Sequence, residues 1–419
     1  MRSLRWTSRT GAPEIRTSNP ASFGKSTLSP TSIPSASEPT AVTIPVRQPA
    51  SAPAGMISPL RVHVSESAAS MTRYSSSGSR VTFRACSRCV SAMGVRILPG
   101  LNVPISNPDK VFFPERGLTK GDLVAYYVEL APQILNHVRR RPMQMLRYPD
   151  GVDGFRFYQK RVPQPHPDYV QTVHIVFPSE NEIDFPVVDN VRGLAWIVNL
   201  GCIDVHTWAS RVIDVERPDY LLIDLDPSEG NPWSHVQQIA LVVKEVMDEL
   251  GLASYPKTSG STGLHILAPI KPELRFPYVR DFAQALAKEV ERRIDDQSVA
   301  TTRWKVAERE GVFVDYGQNA RDRTIACAYS IRPTPDARAS APLRWEEVGG
   351  VDPAEFTLTS MRDRLEAVGD LTAGMWRRKA SLRPRFELLG MEAPTSDEHP
   401  RDRFAGRGGR GAWRSRSSK

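Results

Sequence analysis

The chain has 419 residues, with 55 Lys+Arg, 47 Asp+Glu and four cysteines, a length that holds one large domain or two ordinary ones. No run of about 18 apolar residues occurs, which excludes a membrane-spanning helix. Four cysteines are too few for a disulfide scaffold of this size, so a reducing compartment is expected. The formal net charge of +8 suggests nucleic acid, but residues 1–92 carry +8, residues 391–419 carry +3 and residues 93–390 carry −3. An argument for nucleic-acid binding by the middle must therefore rest on local basic clusters.

Residues 1–92 hold 38 Ser, Thr or Pro and no sustained period of 3.6 or 2. Such a composition buries too little apolar surface to offset chain entropy, so disorder is expected. Three readings stay open: a flexible arm, an organelle transit peptide, or leader ahead of a true start at Met93 or Met71. We favour the last, because the prolines from Pro13 to Pro59 would break the amphipathic helix of a transit peptide. Cys86 and Cys89 form a lone CxxC with no second pair, and they carry no metal prediction.

From Ile97 the texture changes. Leu123, Tyr126, Tyr127, Leu130, Ile134 and Leu135 recur at helical spacing between Thr119 and Val138, with Pro132 splitting the segment into two helices. Apolar runs at Val173–Phe177, Ile183–Val188 and Cys202–Trp208 read as strands, followed by a strand at Tyr220–Asp226. Asn231-Pro232 predicts a capped helix with Val236, Ile239, Val243, Val246 and Leu250 buried, ended by Gly251. A strand at Leu264–Pro269, a helix at Pro277–Ile294 and strands at Val312–Asp315 and Thr324–Ile331 follow. Strands come in groups rather than as a βαβ repeat, which predicts an α+β architecture. Residues 391–419 read as a basic, flexible Gly/Arg/Ser tail.

The chemistry-bearing segments lie among these strands. In Leu221-Leu222-Ile223-Asp224-Leu225-Asp226-Pro227, Asp224 and Asp226 share one face of a strand, about 7 Å apart along it. Two such carboxylates repel each other unless a cation lies between them, and oxygen-only ligands suit Mg²⁺ or Mn²⁺. The bland alternative is that Asp226 caps a helix and Asp224 is solvated. Asp315 ends a second apolar strand. Three acids on neighbouring strands would suit two ions about 3.5–4 Å apart in phosphoryl transfer, although Asp315 alone also reads as a turn acid. The loop Lys257-Thr258-Ser259-Gly260-Ser261-Thr262-Gly263-Leu264-His265 allows backbone N–H groups close to phosphate oxygens. It lacks the Walker pattern.

Further segments are Asn107-Pro108-Asp109-Lys110-Val111-Phe112-Phe113-Pro114, Leu118-Thr119-Lys120-Gly121-Asp122, Phe155-Arg156-Phe157-Tyr158-Gln159-Lys160 and Asp204-Val205-His206. Val314-Asp315-Tyr316-Gly317-Gln318-Asn319, Tyr329-Ser330-Ile331-Arg332-Pro333 and Pro342-Leu343-Arg344-Trp345 complete the set. Taken in this order over residues 97–390, they resemble the polymerase domain of bacterial ligase D, in the archaeo-eukaryotic primase superfamily.

The resemblance implies a primase-type catalytic core with an RRM-like antiparallel sheet and an N-terminal α/β part, occupying residues 93–390. It implies metal-dependent nucleotidyl transfer at DNA ends and gaps during non-homologous end joining, using NTP or dNTP with ribonucleotides preferred. Ku and a DNA ligase are the implied partners, and the cytoplasm, at the nucleoid, is the implied location. Residue by residue, Asp224, Asp226 and Asp315 would hold two Mn²⁺ or Mg²⁺ ions. Ser259 and His265 would bind the triphosphate. His206, Gln318 and Arg332 would lie beside the nucleotide. Lys110 and Lys120 would take the downstream 5′-phosphate, and Phe157 and Tyr158 would stack on template bases.

Each residue also has an ordinary reading: surface lysines, core aromatics, a structural histidine. Arg139-Arg140-Arg141 reads as a charge run at a helix C-terminus. One departure is Thr262, where many relatives carry Lys or Gly, and it removes a positive charge from the triphosphate loop. With no K-x-D-G adenylation motif in the sequence, a stand-alone polymerase domain working with a separate ligase is expected.

Overall fold

The computed structural model describes residues 95–397, apart from Pro99, 178–180, Gln297, Trp304 and 306–308, together with His399 and the backbone of four short strands. Three of those strands, His63–Ser65, Ser70–Tyr74 and Arg80–Arg84, pair as an antiparallel meander within the segment expected to lack secondary structure. The remaining expectations for residues 1–92, including Cys86 and Cys89, lie outside the described residues, as does Met93.

After two short antiparallel strand pairs, Val95–Ile97 with Pro104–Ser106 and Val111–Phe113 with Leu118–Thr119, the N-terminal part continues with helices α1 (Lys120–Glu129) and α2 (Ala131–Val138). Thr119 starts α1 through a reciprocal cap: its hydroxyl accepts from the Asp122 amide, and the Asp122 carboxylate accepts from the Thr119 amide. This satisfies two of the donors that every helix start leaves orphaned. The break falls at Leu130, and Pro132 sits in the first turn of α2, where its missing N–H costs nothing. Strands β1 (Met143–Arg147), β2 (Phe157–Gln159), β3 (Gln171–Val176) and β4 (Glu182–Val187) follow, then helix α3 (Val191–Asn199) and strand β5 (Cys202–Trp208).

The second half is β6 (Tyr220–Pro227), α4 (Trp233–Glu249), β7 (Tyr255–Thr258), β8 (Leu264–Pro269), α5 (Phe276–Arg293), β9 (Ala300–Thr301), β10 (Val312–Asp315) and β11 (Thr324–Ala326). Five of its strands form one sheet in the order β7-β8-β6-β10-β9. All its pairings are antiparallel except β9 with β10. The β6-α4-β7-β8-α5-β10 run is the split βαββαβ arrangement, the RRM-like sheet expected from the resemblance. A second sheet has the order β11-β5-β1-β2.

Strand periodicity divides the five-stranded sheet into a core face and a chemical face. Ile223 and Leu225 of β6 are fully buried in the main core. There they join Val236, Ile239 and Val243 of α4 and Phe282, Leu286 and Val290 of α5. Asp224 and Asp226 therefore face away from the helices. Gly251 ends α4 as expected, with φ +63°. Asn231 does not cap α4. The chain enters at Pro232, and the Asn231 amide instead donates to the Ser228 carbonyl of the preceding turn. The strand expected to reach Ile331 stops at Ala326, because Tyr329 adopts φ +66° and turns the chain.

Two buried hydroxyls fasten the halves together. Tyr126 donates to the Tyr329 carbonyl at 2.7 Å, and the Tyr127 hydroxyl, which donates to Ile203 within its own half, accepts from the Ile331 amide at 3.0 Å. Beyond Gly390 the chain stays packed through Asp397, whose carboxylate pairs with Arg217 and Arg383. Ala412–Arg414 pairs with β3. The rest of the expected tail lies outside the described residues. No described helix is long and apolar enough to cross a membrane.

Candidate active site

A transverse row of polar side chains crosses the five-stranded sheet. Register pairs Lys257 of β7 with His265 of β8, His265 with Asp224 of β6, and Asp224 with Asp315 of β10. Directly opposed residues share a face, with Cβ atoms about 4.5–5.5 Å apart, so four groups distant in sequence become neighbours. Asp226 lies one pleat further along β6, exposed at the strand end. The strand continues to Pro227, so Asp226 is not a helix cap.

The row is electrostatically tense. Burial, then the charges of Asp315 and Asp226, push the Asp224 carboxyl up to about 8, against the pull of Lys257 and Arg332. Burial also raises Asp315, whose carboxylate is steadied by the Gly317 amide at 2.6 Å and by Gln318 Nε2 at 3.2 Å. Asp226, open to solvent at the strand end, is raised by the partial burial of its carboxyl, with Arg309 opposing. Lys257 is only 3% exposed, and burial draws its ammonium down to about 7. It lies 2.6 Å from His265 Nδ1, while His265 Nε2 lies 3.4 Å from Asp224 Oδ1.

Among the described residues no three acid, imidazole or thiol groups close on a single point as a ready cage. The donor set nevertheless suits a hard cation: all-oxygen carboxylates on adjacent strands, raised by burial and mutual repulsion, which a divalent ion would relieve.

Beside the row, the loop after β7 is wound tightly around Ser259. Its hydroxyl accepts from the amides of Ser261 and Gly263, both at 3.1 Å. Gly263 must be glycine, because a Cβ there would lie 2.2 Å from the Leu225 carbonyl oxygen. Gly260, at φ +73°, backs onto the Arg332 side chain. The exposed Thr262 forms the loop tip.

Across from it, β5 presents Asp204 and His206 on one face. His206 Nε2 is 2.8 Å from Asp204 Oδ2, and Arg332 Nε is 3.9 Å from the same oxygen. Burial would raise Asp204, but His206 and Arg332 outweigh it and hold the carboxyl below its usual range. Asp204 Oδ1 and Arg332 Nε are buried without hydrogen-bond partners. The structure thus brings Asp224, Asp226, Asp315, Gln318 and His265 to one face, with Ser259 in the adjoining loop and His206 and Arg332 joined through Asp204.

The remaining predicted residues form a second region. Lys120 is 6% exposed and donates to the Ser106 carbonyl at 2.8 Å and its hydroxyl at 3.1 Å. Burial, then Lys110 and Arg147, draw it down to about 8. Lys110 bonds the Pro149 carbonyl at 2.9 Å and Asp150 at 2.5 Å. Phe157 and Tyr158 are successive residues of β2 and point to opposite faces. The aromatic that shares a face with Phe157 is Phe155, 70% exposed, with its ring 5.8 Å away and nearly parallel at 21°. Arg147 lies 5.2 Å from the Phe157 ring centre. Arg141 of the expected charge run is instead fully buried, paired with Asp219 at 2.5 Å.

Three functional candidates escaped assignment from sequence: Lys257, Asp204 and Phe155. For Asp204 the signal was present, since an i, i+2 partner on a strand shares its face; Phe155 precedes β2, and only its ring contact with Phe157 shows it.

Known proteins share this architecture. The family described as LigD, primase-polymerase domain, matches residues 119–372. The multifunctional non-homologous end joining protein LigD of Pseudomonas aeruginosa is 31% identical over 314 residues, 74% of this chain and 35% of that protein. The corresponding protein of Mycolicibacterium smegmatis is 30% identical over 273 residues, 65% of this chain and 36% of that protein. The solved polymerase domain of Mycobacterium tuberculosis ligase D, in complex with DNA, superposes with a TM-score of 0.61 at 29% identity, covering 66% of this chain and 98% of that one. The chain thus spans little more than a third of these two LigD proteins while matching nearly all of the isolated polymerase domain, and it belongs to the LigD primase-polymerase domain family.

Proposed function

We propose that this chain is a metal-dependent nucleotidyltransferase that adds nucleotides, with ribonucleotides preferred, to DNA ends and gaps during non-homologous end joining. The observation that carries the reading is the Lys257–His265–Asp224–Asp315 row, set beside the Ser259 loop and Arg332. A binding protein has no use for three carboxylates gathered next to DNA phosphates, with Asp224 pushed up by both of the others. A nuclease needs such acids but no adjoining anion pocket.

Asp224, Asp226 and Asp315 would hold two Mn²⁺ or Mg²⁺ ions. When bound, these would polarise the primer 3′-hydroxyl and offset charge on the phosphates. The chain's own groups do the rest. Ser259 keeps its loop wound so that backbone amides and the His265 ring face a triphosphate. His206 and Arg332, steered by Asp204, offer positive charge beside the nucleotide, and Gln318 keeps Asp315 oriented. Lys110 and Lys120 take the 5′-phosphate across a gap, and Phe155 and Phe157 offer a stacking platform for the template. Ku and a separate DNA ligase are the proposed partners, at the nucleoid in the cytoplasm.

Primer extension on a gapped, 5′-phosphorylated duplex with Mn²⁺ and each NTP or dNTP tests this directly. Addition with ribonucleotides favoured supports it. Cleavage in place of addition, or binding with neither, overturns it.

A further inference from the structure

At the other end of β6 from the acids lies a cleft that nucleotide addition leaves unused. Asp219 immediately precedes β6 and stands roughly 20 Å along the strand from Asp226. It is buried and paired with Arg141 at 2.5 Å, Arg211 at 2.6 Å and Lys379 at 3.0 Å. The same three cations gather around Trp376, at 5.0, 5.1 and 5.9 Å from its ring centre. Arg211 and Trp376 line a cleft of about 540 Å³, with Gln133 of α2 and Arg139 also in its wall. Arg139 belongs to the basic run at the end of α2 and is exposed.

The cleft carries more positive charge than its acids absorb. Asp370, the acid in the lining, accepts at one oxygen from the Tyr329 hydroxyl at 2.6 Å and from the Thr372 hydroxyl and amide at 2.7 and 2.9 Å. Arg139, Arg141, Arg211 and Lys379 stand against Asp219 and Asp370, four cations against two carboxylates, a formal excess of two. Arg211 gives Nε to Asp219 and Nη1 to the Arg139 carbonyl, and its Nη2 meets no acceptor among the described residues. Trp376 Nε1 and Gln133 Oε1 are buried without hydrogen-bond partners, an arrangement folded proteins usually avoid.

The unmatched groups are of opposite kinds. The indole N–H and the guanidinium need an acceptor, and Gln133 Oε1 needs a donor. A bare anion satisfies the first two and leaves Gln133 unpaired. An acidic side chain brings one negative charge, whereas a terminal phosphate, with its second pKa about 6, brings nearly two. The volume is that of an ordinary small-molecule site.

We propose that this cleft is a second nucleotide-binding site, apart from the acid row, that takes a nucleoside monophosphate, either free or at the end of a strand. Arg139 and Arg211 hold the phosphate, the Trp376 indole donates to it, and Gln133 accepts from a sugar hydroxyl or base amino group.

The Trp376 indole N–H resonance of the ¹⁵N-labelled full chain reports on this cleft alone. It is assigned through Trp376→Phe or, where that variant fails to fold, through its nuclear Overhauser contacts with Ala373 and Gly374. Deoxyadenosine monophosphate should move the resonance saturably, and inorganic phosphate should do so about tenfold more weakly, having no donor for Gln133 beyond its own hydroxyl. Arg139→Glu should weaken the monophosphate by at least about tenfold while leaving primer extension unchanged. A short 5′-phosphorylated oligothymidylate that moves the resonance as tightly makes a strand end the source; one that fails where the monophosphate succeeds makes it the free nucleotide. The proposal is overturned if neither nucleotide moves the resonance, a Glu-rich peptide doing so instead included. It is also overturned if Arg139→Glu binds as tightly as the wild type, if inorganic phosphate matches the monophosphate, or if the oligothymidylate binds equally without its 5′-phosphate. A chain that adds no nucleotide at the acid row leaves this readout intact.

Discussion

The two polar regions are built on opposite principles. The acid row is assembled by strand register. Its members come from four strands, are largely buried and perturb one another, so that Asp224 and Lys257 are both drawn far from their ordinary titration ranges. The lysine–aromatic region is assembled by side-chain reach over short strands and turns. Phe155 and Tyr158 are each 70% exposed, and Lys110 is held by a surface carboxylate. Only Lys120 is buried. Deep, mutually strained acids suit chemistry on a small charged group, while exposed rings and long cations suit grip on an extended polymer. The difference gives each region a separate experimental signature.

Removing the row should produce the largest effect. Asp224→Ala, Asp226→Ala or Asp315→Ala should each lower nucleotide addition by on the order of a thousandfold, the loss expected when metal-assisted phosphoryl transfer disappears. DNA binding should persist or strengthen slightly, since a repelling carboxylate is gone. The fold should survive, because burying these acids beside one another contributes little stability. Primer extension, gel shift and a melting curve on each variant check this. A variant with near-normal extension removes its aspartate from the site. One that loses activity only by unfolding assigns that residue to the fold.

The second region should respond in the reverse sense. Lys110→Ala with Lys120→Ala should weaken binding to gapped DNA bearing a 5′-phosphate by well over tenfold, since each charge-assisted contact is worth about 1.5–3 kcal/mol. The loss should be much smaller when that phosphate is absent. Equal losses on both DNAs would make these lysines general backbone contacts or folding residues. Within the same region, Phe155→Ala should weaken template binding by about 1–3 kcal/mol, the usual scale for one base–aromatic stack. Tyr158→Ala, on the opposite face of β2, should cost clearly less. Fluorescence anisotropy on a 3′-overhang separates the two, and a larger loss at Tyr158 would reverse the assignment of faces.

What the sequence revealed follows the range of its interactions. Asp224 and Asp226 were legible because both sit on one strand, where a period of two fixes their face. The α1–α2 break and the end of α4 were legible because Pro132 and Gly251 act locally. The neighbours of Asp224 were not. His265 and Asp315 meet it only through the pairing of three strands, and the register depends on the two connections that carry α4 and α5. Lys257 stood in the recognised loop, yet its contact with His265 depends on β7 and β8 pairing in one register. Asn231 misled because its side chain closes a turn at Ser228 rather than a helix. Tyr329 misled because a positive φ at a bulky residue gives no composition signal.

The smallest expected effect is a pH dependence confined to the lysine region. Lys120 is drawn down to about 8 by burial and by Lys110 and Arg147, so it is charged at pH 7 and largely neutral by pH 9.5. A terminal phosphate stays doubly charged throughout, with its second pKa about 6. Affinity for the 5′-phosphorylated gap should therefore fall several-fold between pH 7 and pH 9.5, by less than the full loss in the alanine variant, because bound phosphate holds the proton on. Unfolding does not imitate this. A lysine whose folded pKa lies below its unfolded value of 10.5 binds fewer protons folded than unfolded between the two, so its contribution to stability grows as pH rises through that window. Lys120→Arg, which keeps its charge at every pH used, should flatten the curve, and the gap lacking a 5′-phosphate should be flat with either protein. A fall of equal size on both DNAs, or in Lys120→Arg, would move the titrating group away from Lys120 and leave the 5′-phosphate to Lys110.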